Sequence, residues 1–161
     1  MGLFRARRFQ PTTDGWNIRL STAERATLRN TVPQLRELVT DLDPNDERIR
    51  RLFPTAYATD PEKEEEYRRF MRDELVQSKL AALDLFEASA DATSLTDAQL
   101  NGWMQSINGV RLVLGTMLDV SEDELSINDD DPNIDGYLLY DYLSGLLHEI
   151  VTAQSEAAGW E

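Results

Sequence analysis

The sequence predicts a mainly α-helical protein, a bundle of about five helices with a β-hairpin at its N-terminus. Three observations predict this fold class: repeated helix-capping sequences, apolar residues at helical spacing, and one short stretch of strict alternation near the N-terminus. We expect residues 1–161 to form a single domain, with the hairpin at 3–20 and the helical bundle at 21–156. At 161 residues and 41% hydrophobic content, the chain can bury a sizeable core.

The predicted hairpin has two short apolar or aromatic arms, Phe4–Phe9 and Trp16–Leu20. Thr13-Asp14-Gly15 supplies the turn between them, and Gly15 is free to adopt positive φ. In the second arm every other residue is apolar, which places the apolar side chains on one face. Because a lone hairpin is marginally stable in water, we expect this face to pack on the helices.

Capping sequences indicate where the helices begin. Capping boxes start at Ser21, Thr96 and Ser121, each followed three residues later by Glu or Gln. Asp-Pro pairs begin at Asp43 and Asp60, and proline is tolerated at the first helical position. The predicted helices cover about 21–42, 44–53, 61–88, 97–118 and 133–154, with a single turn at 122–125.

Apolar spacing indicates which helix faces are buried. Pro33 lies inside the first helix and should kink or split it. The final helix is apolar over much of its circumference, which is typical of a central helix or of one that also forms a dimer interface. This feature and the open hairpin edges predict a homodimer. The expected core residues of the longest helix are Tyr67, Phe70, Met71, Leu75, Leu83 and Phe86.

The net charge of −14 is unevenly distributed. Residues 1–53 carry a net charge of +3, whereas residues 54–161 carry −17. The acidic part would repel phosphate groups, which disfavours nonspecific nucleic-acid binding by it. Any contact with DNA must therefore come from the arginine-rich first third. The candidate residues for a partner or DNA contact are Arg5, Arg7, Arg8, Arg48, Arg50 and Arg51.

No sequence motif for catalysis, cofactor binding or metal binding is complete. Asp131–Gly136 matches the opening of an EF-hand calcium loop, but the twelfth position is Tyr142 instead of a bidentate glutamate. His148 is the single histidine, and no nucleophile motif accompanies it. Nucleotide-binding glycine patterns are also missing. We therefore expect no metal, no cofactor and no enzymatic activity.

Cysteine usage and hydropathy bear on the compartment. The chain contains no cysteine, which excludes disulfides and thiolate metal sites within it and favours the cytoplasm. No apolar run approaches the length of a membrane helix, so we expect no membrane association.

Arg111 is the one cationic residue in the last 82 residues, and it lies within the apolar run Val110–Leu114. One interpretation is that its apolar stem is covered while its guanidinium reaches water. A buried guanidinium would instead require a bidentate carboxylate partner. We predict a structural ion pair of Arg111 with Asp141, which interrupts the apolar final helix; Asp73 and Asp84 are alternatives.

Four segments resemble the actinobacterial domain of unknown function 2017 family: Arg50–Tyr57 (RRLFPTAY), Arg72–Leu75 (RDEL), Arg111–Thr116 (RLVLGT) and Leu139–Leu143 (LYDYL). The resemblance covers nearly the whole chain. Some members of the family are described as oxidative-stress transcriptional regulators, and its genes tend to lie near that of the Clp protease adaptor. Redox sensing by a cysteine pair, proposed within the family, is impossible here because cysteine is absent.

The resemblance and the charge pattern together predict an intracellular regulatory or protein-interaction module that acts through a protein partner. A component of the transcription machinery, such as a sigma factor or RNA polymerase, fits because a basic partner surface complements an acidic one. The alternatives are direct DNA binding through the arginine-rich first third and an enzyme that uses acidic residues.

Overall fold

The computed structural model describes residues 7–42, 46–53, 55–118 and 133–159. The protein is mainly α-helical with an N-terminal β-hairpin, which confirms the predicted fold class. No helix in these ranges is both long enough and apolar enough to cross a lipid bilayer. The elements in chain order are β1 (Phe9–Pro11), β2 (Trp16–Ile18), α1 (Thr22–Thr31), α2 (Gln34–Asp41), a 3₁₀ turn (Arg50–Leu52), α3 (Pro61–Ser89), β3 (Ser94–Leu95), α4 (Asp97–Met117) and α5 (Ile134–Ala157).

The small sheet has the antiparallel order β1-β2-β3. Phe9 lies opposite Ile18 in the β1–β2 pair, so the described part of the first arm is Phe9–Pro11, and residues 7–8 of the predicted arm are not in a strand. The earlier part of that predicted arm, residues 4–6, lies outside the described residues. The third strand, β3, was not predicted because two residues are too few to show an alternating pattern. It covers one edge of β2, so β1 and β3 are the edge strands of the sheet within the described residues.

Gly15 has a different role from the one its turn sequence suggests. The turn is closed by a hydrogen bond from the Thr12 N–H to the Gly15 carbonyl oxygen at 2.8 Å. Gly15 does not use its freedom to adopt positive φ; the described glycine with positive φ is Gly159. A Cβ at Gly15 would lie well inside van der Waals contact with the carbonyl oxygen of Leu95. Glycine is therefore required because the backbone of β3 passes so close.

The helix-start signals within the described residues are confirmed. Ser21 Oγ accepts a hydrogen bond from the Glu24 N–H, and the Glu24 side chain accepts one from the Ser21 N–H. Thr96 forms the second predicted capping box, and Asp60 caps α3 ahead of its N-terminal proline. The first helix is split near Pro33 into α1 and α2, as predicted. The predicted starts at residues 43 and 121, and the turn at 122–125, lie outside the described residues.

The predicted helix at 44–53 is wrong over its described part, because residues 46–53 form turns and a 3₁₀ segment. Ile49, Leu52 and Phe53 are each at most 2% exposed. The conformation of this segment is determined by burial of these side chains, and one short turn is enough to bury them. A segment of this length has too few residues to form a stable α-helix by itself.

The core is built around α4, which packs between α3 and α5. Trp103 is fully buried, its ring packs on Phe86 with centroids 4.9 Å apart, and its Nε1–H donates to Ser89 Oγ at 2.9 Å. Helix α5 runs antiparallel to α4. Contacts at both ends establish this direction: the Gln154 Nε2–H donates to Asn101 Oδ1 at 2.8 Å, and the Tyr137 hydroxyl donates to the Leu118 carbonyl oxygen at 3.3 Å.

Arg8 links the N-terminal sheet to α1 and α5. Its Nε lies 2.7 Å from Glu24 Oε1, and its Nη1 lies 2.8 Å from Glu149 Oε2. The Tyr142 hydroxyl also donates to Glu24 Oε1, at 3.3 Å. Burial raises the pKa of Glu24, but hydrogen bonds from the Ser21 backbone and the Arg8 guanidinium outweigh it, so that pKa lies below its usual range. Burial and the neighbouring Glu24 charge raise the pKa of Tyr142.

The close approach at Gly15 yields a test with a matched control. We expect Gly15→Ala to lower the free energy of unfolding by about 1–3 kcal/mol, because neither backbone can move without disrupting the sheet. Gly145 lies within α5 and has open space around its Cβ position. We expect Gly145→Ala to raise stability by ~0.5–1 kcal/mol, since alanine favours the helix. Urea denaturation measures both; equal effects of the two variants would contradict the steric explanation.

The charge on Glu24 yields a prediction about pH. Because its pKa is lower in the folded state, its ionised form stabilises the fold above the unfolded pKa of ~4.3. That stabilisation is lost as the pH falls through the folded value. We expect Glu24→Gln, which can retain the capping box, to lose about 1 kcal/mol at neutral pH and progressively less as the pH falls below ~4.3.

The matched control for this prediction is Glu37→Gln, which removes an exposed carboxylate from the first turn of α2. Denaturation curves of the wild-type protein and of both variants across the pH range measure the difference in stability. A deficit of Glu24→Gln that stayed constant with pH would show that the charge is not responsible.

Candidate functional site

The N-terminal half of α3 contributes little to the core. The buried residues of this helix are Ala82, Leu83, Phe86 and Ser89, all near its C-terminus. With Trp103 beside Phe86 and an equal rise per residue, the C-terminal end of α4 lies level with roughly residue 72 of α3. The first turns of α3 therefore extend past the end of α4.

The exposure of Phe70 is the clearest consequence of this geometry. It was predicted to lie in the core, but it is 82% exposed, so that prediction is wrong. Apolar spacing identifies the face of a helix and does not tell how far along the helix that face is covered. Leu83 and Phe86, predicted from the same pattern, are fully buried because α4 lies against that part of α3.

Phe70 belongs to an aromatic surface with Tyr57 and Tyr67, which we call the aromatic ridge. The rings of Tyr57 and Tyr67 meet edge to face, with centroids 6.1 Å apart and an interplanar angle of 75°. Tyr57 is itself 45% exposed. The ridge lines a shallow depression of ≈ 520 Å³ together with Lys63 and Glu66. Large exposed aromatic side chains gathered in one place are typical of a binding surface.

A second depression, of ≈ 650 Å³, adjoins the aromatic ridge and shares Tyr57 with it. Two carboxylates, Glu64 and Glu65, lie in its wall. Its cationic residues, which define what we call the arginine groove, are Arg50, Arg68, Arg69 and Arg72. The groove thus carries more positive than negative side chains on a protein whose net charge is −14.

The ion pair of Arg68 and Glu64 forms the fixed floor of the arginine groove. Arg68 Nε lies 3.1 Å from Glu64 Oε1, and each side chain is 13% exposed. Glu64 also accepts hydrogen bonds from the backbone N–H groups of Tyr57 at 2.7 Å and Ala56 at 3.0 Å. The Tyr57 N–H and the Arg68 guanidinium hold the pKa of Glu64 below its usual range. This carboxylate therefore ties the segment before α3 to the helix.

The outer arginines of the groove are differently placed. Arg69 pairs with Glu65 at 3.1 Å, but both side chains are more than 70% exposed, so the pair contributes little and is easily exchanged. Arg50 and Arg72 are exposed, and neither guanidinium has a hydrogen-bond or ion-pair partner within residues 7–42, 46–53, 55–118 and 133–159. Three guanidiniums are therefore available to an anionic group.

The Arg111 side chain extends from α4 toward α5, and its contacts differ from the predicted pair. Its guanidinium donates to Asn108 Oδ1 at 3.1 Å and to the Tyr140 hydroxyl at 3.3 Å, and its Cζ lies 5.9 Å from the centre of the Tyr140 ring. Asp141 is exposed on the next position of α5. An amide, a hydroxyl and an aromatic face satisfy the half-buried guanidinium without a carboxylate.

Gly115 allows Tyr140 and Arg51 to approach α4 at the same place. A Cβ on Gly115 would lie 3.1 Å from Tyr140 Cε2 and 3.4 Å from Arg51 Nη1. The four segments that carry the family resemblance therefore meet at one end of the bundle. Arg51 and Gly115 join the first and third segments, Arg111 and Tyr140 join the third and fourth, and Arg50 and Arg72 join the first and second.

The structure separates the six arginines that were predicted as partner or DNA contacts. Arg7 pairs with Glu156 at 2.7 Å, Arg8 pairs with Glu24 and Glu149, and Arg48 pairs with Asp46 at 2.9 Å. Arg5 lies outside the described residues. Arg50 instead lines the arginine groove, and Arg51 lies beside Gly115. The sequence shows which residues are basic, but it does not show which of them have carboxylate partners in the folded protein.

Neither His148 nor the described part of the EF-hand-like segment belongs to an arrangement of metal ligands. His148 is exposed in a small cleft beside Arg8 and Glu149. Residues 131–132 of that segment lie outside the described residues, and Tyr142 at its twelfth position is helical and bonded to Glu24. Across the part of the chain that the structure describes, no group of three or more metal-binding side chains comes together.

The arginine groove was not predicted from the sequence, because acids and arginines four residues apart on a helix indicate ordinary helix-stabilising pairs. Glu64 and Arg68 have this spacing, as do Glu65 and Arg69, and both pairs are present. Arg72 differs from its neighbours, because the residue four positions before it is Arg68 instead of an acid. This break in the pairing pattern could have identified Arg72 as an arginine without a carboxylate four residues before it.

The contacts of Arg111 change the expected effect of removing it. Because no buried carboxylate is left behind, we expect Arg111→Met to lower the free energy of unfolding by only ~1 kcal/mol. Asp141→Asn should leave the melting temperature unchanged, since Asp141 is exposed. Thermal denaturation of both variants checks this. If each single variant lost several kcal/mol and the double variant lost clearly less than the sum of the two, the predicted ion pair would be supported instead.

Comparison with known proteins supports the resemblance noted in the sequence. No curated protein and no solved structure matches the chain. The model of a family described as a domain of unknown function, DUF2017, matches residues 6–154, which include all four segments at the arginine-rich end of the bundle. The protein therefore belongs to the DUF2017 family.

Proposed function

We propose that this protein is a non-catalytic regulatory module inside the cell that acts by binding a protein partner through the aromatic ridge and the arginine groove. The observation that carries the proposal is Phe70, whose ring is 82% exposed on a helix segment that extends beyond α4. Exposed aromatic anchors beside arginine are the residue types that dominate binding energy in protein interfaces. An enzyme would need a cleft of perturbed catalytic groups, whereas the groove presents fixed ion pairs and free arginines.

The regulatory part of the proposal comes from the family. Some members are described as oxidative-stress transcriptional regulators, and a component of the transcription machinery is the partner class that follows from this. An acidic body with a net charge of −14 favours encounter with basic proteins over encounter with DNA. The arginine groove and the aromatic ridge then supply the specific contacts after encounter.

Direct DNA binding is the alternative role, and the ion pairs argue against it. Arg7, Arg8 and Arg48 would have to exchange carboxylate partners for phosphates. Along α5, Tyr140 beside Arg51 is roughly 13 Å from Glu149 beside Arg8, so the two arginine sets do not form one continuous basic surface.

A homodimer remains part of the proposal. Leu138 and Val151 are about half exposed on α5, which agrees with a helix that is apolar beyond its core face. Among the residues that the structure describes, β1 also has an unpaired edge. Light scattering at micromolar concentration distinguishes a dimer from a monomer by mass.

Affinity capture with surface variants tests the proposed binding role. We expect specific proteins retained from a native lysate by the wild-type protein to be lost with Phe70→Asp, because a charge would replace the exposed aromatic anchor. Ala81→Asp is the matched control, since Ala81 is exposed on the same helix, roughly 16 Å along α3 from Phe70. Both variants should melt at the wild-type temperature. Retention of the same proteins by Phe70→Asp would contradict the proposed contact surface.

A further inference from the structure

We propose that the arginine groove and the aromatic ridge together bind an acidic peptide segment that carries an apolar side chain, presented by a protein partner. This inference rests on the proposed function and adds the chemistry of the partner. The segment would place carboxylates against Arg50 and Arg72 and its apolar side chain against Tyr57 and Phe70.

The charge of the groove selects an anionic occupant. Arg68 is held at the floor by Glu64, by the Phe53 carbonyl oxygen at 3.4 Å and by Thr55 Oγ1 at 3.5 Å, so it shapes the groove. Arg50 and Arg72 have no such partners among the residues that the structure describes. Planar guanidiniums recognise carboxylates through paired hydrogen bonds, and free ones do so without first breaking an existing pair.

The aromatic ridge selects an apolar group next to the charge. Tyr57 lines both depressions, so a segment that crosses it passes from guanidiniums to aromatic rings. The edge-to-face contact with Tyr67 fixes the orientation of the Tyr57 ring. Phe70, which lines the same depression and is the most exposed of the three rings, loses the most water-accessible apolar area if it is covered.

The surrounding acids favour a peptide over a nucleic acid. Glu62, Glu65 and Glu66 lie on the same helix half, and Asp73 and Glu74 follow Arg72. A continuous phosphate backbone would bring several negative charges past these carboxylates. A short segment with a few carboxylates can bind the free arginines and avoid the neighbouring acids.

Fluorescence anisotropy with defined probes tests this chemistry on the full chain. The first probe is a labelled peptide of ~10 residues in which Asp residues flank a central Phe. The second replaces Phe by Ser, the third replaces Asp by Lys, and the fourth is a labelled single-stranded thymidine oligonucleotide. We expect the Asp-Phe peptide to bind the wild-type protein with an affinity that falls as salt rises.

Single charge reversals show where the peptide binds. We expect Arg72→Glu to weaken binding of the Asp-Phe peptide by roughly tenfold or more, and Arg50→Glu to have a similar effect. Arg19→Glu is the matched control: it makes the same charge change at an exposed position of the N-terminal segment, and it should leave the affinity within about twofold. Replacing Phe by Ser in the peptide should also weaken binding roughly tenfold.

Three results would overturn the inference: equal binding of the Asp and Lys peptides, equal loss in Arg72→Glu and Arg19→Glu, or binding of the oligonucleotide alone. Absence of Asp-Phe peptide binding at low salt would do the same. These failures are separable from failure of the proposed function. If affinity capture depends on Phe70 while Arg72→Glu retains the same proteins, the interaction role stands and the acidic-peptide chemistry is wrong.

Discussion

The packing of α4 between α3 and α5 is the constraint on which the rest of the molecule depends. Trp103 occupies the centre of this arrangement, fully buried against Phe86 and with its indole N–H bonded to Ser89. Because α4 is shorter than α3, their antiparallel packing leaves the first turns of α3 beyond the end of α4. The exposure of Phe70 and of the outer arginines follows from that difference in helix length.

Carboxylates determine which arginines are structural and which are available. Glu24 and Glu149 hold Arg8 so that the sheet, α1 and α5 are linked, and Glu64 holds Arg68 so that the segment before α3 is tied to the helix. These pairs are partly buried, which strengthens them relative to exposed pairs such as Arg69 with Glu65. An acidic protein can therefore present a local cationic surface where the nearby carboxylates are already paired with other arginines.

Arg111 illustrates how a residue can be singled out correctly and explained wrongly. Its place in an apolar run indicated that the side chain needs partners, and it does have them: Asn108 and Tyr140. A fully buried guanidinium would need a carboxylate partner. The guanidinium is only half-buried, so neutral oxygens and an aromatic face are sufficient, and Asp141 remains in water.

The sequence by itself determined the fold class, the caps of α1, α3 and α4, and the break at Pro33, because these depend on interactions within a few residues of each other. Only the tertiary structure decided that β3 completes the sheet, that Gly15 serves a close approach, and that residues 46–53 are not an α-helix. It also decided the candidate site, because Arg50, Tyr57 and Arg72 are brought together by packing across more than one element. Local patterns report on a residue's neighbours in the chain, whereas burial and free charge depend on which distant residues come to lie beside it.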